Sequence, residues 1–139
     1  MLPVLAARAA AVVMVSIAAF QVALVLGAPW GAYTQGGRTG GALDASGRVV
    51  AAMSCAVLLV MAAAILARVH EGPLERAPRR LVTTLSWFTT IYAAVAVVIN
   101  LATQSSSERA VFAPTAILLF VLVVTAMVGS RRTGEPGVQ

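Results

Sequence analysis

The sequence predicts an all-α membrane protein, a bundle of four transmembrane helices. Three observations lead there. Four apolar stretches, residues 9–27, 49–67, 81–102 and 111–129, each run for 19 residues or more without an Asp, Glu or Lys. About 20 helical residues cross a hydrocarbon core of about 30 Å. Hydrophobic residues make up 60% of the chain and charged residues 11%, against roughly 25% charged in a soluble domain. The ten basic residues are all Arg, and they collect at the ends of the stretches.

The first stretch follows Arg8. A cleaved signal has an apolar region of about 7–15 residues; this one is longer and ends at Gly27-Ala28-Pro29-Trp30, a poor cleavage site. A retained span is expected. The connection to the second stretch is rich in glycine, with six from Gly31 to Gly47, which permits tight turns. It contains no phosphate-loop spacing. Asp44 is placed to cap the second helix. Within that helix Ala52, Ala56, Ala63 and Ala67 offer a small-residue seam for close packing.

The connection at 69–80 is short and broken by Pro73 and Pro78, so spans two and three should be antiparallel neighbours. Its His70, Glu71 and Glu75 have no metal-ligand pattern and read as a solvated connector. Thr83, Thr84, Ser86, Thr89 and Thr90 follow in span three and can bond back to the carbonyl one turn earlier. Ser105-x-x-Glu108 has the form of a capping box and starts the fourth helix near Ser106. Pro114 then falls inside that helix and should bend it. Spans three and four are rich in Val, Ile, Leu and Phe, suited to lipid or a partner chain. Residues 1–132 form one domain, and 133–139, without an apolar face, are expected to be a disordered cytoplasmic tail.

Arginine placement sets the orientation. With the N-terminus inside, the inner side holds Arg8, Arg68, Arg76, Arg79, Arg80, Arg131 and Arg132; the outer side holds Arg38, Arg48 and Arg109. The positive-inside rule then favours both termini in the cytoplasm. No basic stripe alternates with exposed aromatics, so the charge implies no nucleic acid. The lone Cys55 excludes an internal disulfide and a Cys-x-x-Cys redox centre, and suits packing.

Polar side chains gather on the outer half. Gln21, Ser54, Asn100 and Thr115 lie toward the outer ends of the four spans. The outer connections add Trp30, Tyr33, Gln35, Arg38, Asp44 and Arg48, then Gln104, Ser105, Glu108 and Arg109. A polar group in lipid must be satisfied internally, so Gln21 and Asn100 should face other helices. They are either interhelical bonds or the floor of a small polar pocket beneath the outer loop. Trp30 and Tyr33 suit the headgroup zone, and the loop is either interfacial or a lid. The candidate cluster is Gln21, Trp30, Arg48, Asn100, Glu108 and Arg109. Arg109 adjoins Glu108 and cannot share its helical face.

Gly27-Ala28-Pro29-Trp30-Gly31, then Gly36-Gly37, Leu43 and Arg48, together with Asn100-Leu101-Ala102 through Ser105, Ser107, Glu108-Arg109 and Pro114, resemble a widespread family of small, uncharacterised bacterial four-span integral membrane proteins. The resemblance covers essentially the whole chain. It implies that Trp30, Gly37, Arg48, Asn100, Glu108, Arg109 and Pro114 are marked positions, and it implies no activity. The family has an aromatic residue before the Gly-Gly pair, where this chain has Gln35.

Three functions remain in view. The first is a non-catalytic, multi-pass protein of the bacterial cytoplasmic membrane with an accessory, lipid-binding or assembly role. It needs no cofactor and no metal, and its partners are the bilayer, a lipophilic small molecule, a second copy or a membrane partner protein. The sequence has no nucleophile–base pair or cofactor motif. The second is a membrane-embedded isomerase or cyclase on a lipophilic substrate. There Glu108 is the general acid, Asn100 and Arg48 orient the substrate, and Trp30 closes the pocket. The third is a small transporter or channel, although no span carries a midplane carboxylate.

Overall fold

The computed structural model describes residues 1–132, with side chains through Gly129. The expected tail at 133–139 lies outside the described residues. Four helices account for most of the chain: α1 Leu2–Val25, α2 Ala45–Ala67, α3 Arg79–Ala102 and α4 Ser106–Arg132. Each is long and apolar enough to cross a membrane. Two short 3₁₀ turns, Gly31–Tyr33 and Gln35–Gly37, lie between α1 and α2. No strand occurs among the described residues.

The boundaries follow local chemistry. α1 begins well before residue 9 because Pro3 sits in its first turn, where a missing amide proton costs nothing. Asp44 caps α2 by accepting the Gly47 amide at 2.7 Å and the Ser46 hydroxyl at 3.0 Å. Those bonds, the amide first, hold the Asp44 carboxyl below its ordinary pKa. α4 begins at Ser106, one residue after the capping serine. Pro114 sits inside α4 without ending it.

α1 is the hub of the bundle. It packs on α2 and α4, while α3 leans on α4 and touches α2 less. The core joins Ala6, Ala10, Met14 and Ala18 of α1 to Leu58, Met61 and Ile65 of α2 and Leu119 and Val123 of α4. The close-packing seam is therefore on α1, where Ala7 and Ala10 are fully buried. On α2 the expected seam is only partly used. Ala67 is buried, but Ala52 and Ala56 are exposed, because the buried face of α2 runs through Ala51, Leu58, Ala62 and Ile65.

α3 buries Val82, Ser86, Thr89 and Ala93 and turns Trp87, Phe88, Ile91, Val95 and Val98 outward. Its small, hydroxyl-bearing stripe faces protein and its bulky stripe faces away from the bundle. Ser86 donates to the Val82 carbonyl at 2.7 Å, Thr89 to Leu85 at 2.9 Å and Thr90 to Ser86 at 2.9 Å. These are the one-turn back-bonds expected of hydroxyls in a helix.

At the end of the bundle holding the α2–α3 connection, Arg8 clasps Glu71. Its Nη2 donates to Oε1 at 2.7 Å and its Nε to Oε2 at 3.0 Å. The connection is thus tied to α1 rather than simply solvated. The Arg8 hydrogen bonds hold the Glu71 carboxyl below its ordinary value. Among the described residues no group of His, Cys, Asp and Glu is arranged to hold a metal.

Candidate functional site

The opposite end is closed by the glycine-rich loop, and the closure rests on three residues. Gln35, Gly36 and Gly37 all take positive φ, at 52°, 79° and 67°. This left-handed run aims the Gly36 amide at α4, where it donates to Glu108 Oε2 at 3.0 Å. The same oxygen accepts the Thr103 hydroxyl at 2.9 Å. Gln35 reaches the other way, its Nε2 donating to the Gly47 carbonyl in the first turn of α2 at 2.9 Å.

The capping box is half formed. Ser105 Oγ accepts the Glu108 amide at 3.2 Å, but the Glu108 carboxylate is turned to the loop. Ser105 meanwhile donates to the Ala32 carbonyl at 2.8 Å. The two termini of the motif therefore fasten the α1–α2 loop onto α4. A residue with a Cβ at position 37 would meet the Ser105 side chain at 2.7 Å, so glycine is needed there for closeness as well as for φ.

Beneath this closure lies a cavity of about 200 Å³. Each helix lines it with neighbours three or four residues apart. α1 gives Ile17 and Gln21, α2 gives Ser54 and Leu58, and α3 gives Tyr92, Ala96 and Asn100. α4 gives Glu108, Phe112, Thr115, Ala116 and Leu119, and the loop adds Tyr33 and Thr34. Above it an open cleft of about 730 Å³ is lined in part by Gln35, Gly36, Arg38, Thr103 and Glu108. Glu108 lines both.

Of the six candidate residues, the cavity brings together Gln21, Asn100 and Glu108. The other three are elsewhere. Trp30 stacks on Phe20, ring centres 5.9 Å apart and planes 6° apart. Arg48 donates from Nε to the Leu43 carbonyl at 3.0 Å and lies beside Gly27. Arg109 is exposed. The loop residues over the cavity are Tyr33 and Thr34.

Neither amide acts as the expected interhelical bond. Asn100 Nδ2 donates back to Ala96 of its own helix at 2.8 Å, and Gln21 Oε1 is buried without a partner. A buried acceptor left unmatched is costly, which makes the Gln21 oxygen the least satisfied atom of the site. Tyr92 is a cavity residue that the sequence reasoning missed, although it shares one face of α3 with Ala96 and Asn100 at a spacing of four.

Comparison with protein families, curated proteins and solved structures found no match for this chain.

Proposed function

We propose that this is a non-catalytic, multi-pass protein of the bacterial cytoplasmic membrane whose outward end captures a small molecule in an accessory role. The carrying observation is a cavity roofed by the loop and lined by Gln21, Asn100 and Glu108, with the Gln21 side-chain oxygen buried without a partner. The arginine distribution supports cytoplasmic termini, which puts the cavity on the outer side. Its volume is below the roughly 300–1,000 Å³ of drug-sized sites, so a compact ligand suits it better than a large lipid.

The isomerase or cyclase reading draws on one observation, that Glu108 lines the cavity. Against it, the carboxylate already accepts two hydrogen bonds on Oε2, and Trp30 and Arg48 do not reach the cavity. Native mass spectrometry of the gently purified protein tests the binding reading. A retained small mass that disappears in Gln21→Leu is expected. A wild-type protein that carries nothing, or a mass indifferent to that change, counts against it.

A further inference from the structure

The cavity lining has a polarity that names a ligand class. Glu108 is its only charged side chain, and both bonds to its carboxylate fall on Oε2, so Oε1 takes neither. Asn100 uses Nδ2 on the Ala96 carbonyl. Because a carbonyl accepts only from the nitrogen end of an amide, the Asn100 oxygen is turned away from it. Thr115 commits its hydroxyl proton to the Val111 carbonyl at 2.7 Å, which leaves its oxygen lone pairs as acceptors. The Gln21 oxygen is unpartnered. Glu108, Asn100 and Thr115 thus offer acceptor oxygens, one of them a carboxylate; Tyr33, Thr34, Ser54 and Tyr92 add hydroxyls that can donate or accept, and no Arg or His lines the cavity.

We infer that the cavity binds a small organic ammonium, a primary amine in its charged form. This deepens the binding reading above and rests on it. A group with several N–H donors and one positive charge matches the carboxylate and the acceptor oxygens, and the hydroxyls can turn a lone pair toward it. An anion would meet the Glu108 carboxylate with no compensating cation. The apolar part of the lining separates an organic cation from a metal ion. Phe112 and Tyr92 contribute aromatic rings to the cavity wall, and Leu58 and Leu119 provide apolar surface. A short alkyl chain gains by lying there, and an ammonium beside an aromatic ring gains a cation–π attraction. Arg38 lines the outer cleft but not the cavity.

The test is calorimetric titration of the full chain in lipid nanodiscs. Ethylammonium is the probe, and acetamide, acetate and sodium chloride are the comparisons at constant ionic strength. Saturable binding of ethylammonium is expected, with each comparison weaker. Loss of one hydrogen bond to a charged group weakens binding by about tenfold or more, and Gln21→Leu should show that loss while its helical circular dichroism is unchanged. Glu108→Gln should show at least as large a loss, but it also touches the loop, so Gln21→Leu is the deciding variant. Equal or tighter binding of sodium overturns the organic class. Preference for acetate or acetamide overturns the charge argument and leaves the binding reading standing. No saturable heat with ethylammonium overturns the inference. In that case a retained, Gln21-dependent mass in native mass spectrometry keeps the broader reading, and its absence removes both.

Discussion

The Glu108 carboxylate accepts the Gly36 amide at 3.0 Å, joining positions 72 residues apart in the chain. With the Ser105–Ala32 bond, it brings the α1–α2 loop down onto the head of α4. A charge-assisted bond of this kind contributes more than a neutral one. Glu108→Ala should therefore destabilise the protein by about 1–3 kcal/mol. Faster hydrogen exchange should be confined to the Gly36–Gly37 segment and its surroundings. Exchange that rises equally along α1 and α2 would mean the residue supports the whole bundle instead.

Two adjacent glycines in the loop should respond differently. Gly36 has a positive φ with open space around its missing Cβ, whereas Gly37 has a positive φ and the Ser105 side chain in the way. Gly36→Ala adds only backbone strain, about 1 kcal/mol. Gly37→Ala adds a clash as well and should lower the thermal midpoint further, while loosening the Ser105–Ala32 bond. Equal midpoints for the two variants would contradict the close approach.

The small-residue seam is a test of packing. Ala10 is fully buried, so Ala10→Leu should overpack the α1 contacts and cost about 1–3 kcal/mol. Ala56 is exposed, and Ala56→Leu should leave the unfolding midpoint in detergent nearly unchanged. The reverse order would restore the α2 seam that the alanine spacing suggests.

Acid should weaken the fold through two carboxylates outside the spans. Both Glu71 and Asp44 are held below their ordinary pKa by hydrogen bonds made in the folded state. A depressed folded pKa gives stability that is fully present above the unfolded value. That stability is lost as pH falls through the folded one, here below about pH 4. Thermal unfolding followed against pH should decline in that range. Glu71→Gln should flatten part of the decline, and added salt should reduce the Arg8–Glu71 share. A decline unchanged in Glu71→Gln would assign acid sensitivity elsewhere.

What the sequence made legible was chiefly local or one-dimensional. Span length depends on an uninterrupted run along the chain, and the Asp44 cap, the start of α4 and the hydroxyl back-bonds of α3 depend on residues within four positions of one another. The α1 seam was not legible, since alanines at helical spacing occur on both α1 and α2 and only the tertiary arrangement decides which face turns inward. The partner of Glu71 lies 63 residues away, and Glu108 joins nearby Thr103 to Gly36, 72 residues away, so neighbouring residues alone do not suggest the long-range contacts these carboxylates make. Depth along each span brought Gln21 and Asn100 to the same level. It did not distinguish residues facing the cavity from Trp30, Arg48 and Arg109, which share that level but turn elsewhere.

The central claim is a four-span bundle whose cavity end faces out. Its most direct test is cysteine labelling of intact cells with a membrane-impermeant maleimide in a Cys55→Ala background, comparing Thr39→Cys on the glycine-rich loop with His70→Cys on the α2–α3 connection. Thr39→Cys is expected to label in intact cells and His70→Cys only after lysis. Labelling of His70→Cys alone in intact cells would invert the topology and contradict the claim, and labelling of both without lysis would rule out a bundle that spans the membrane.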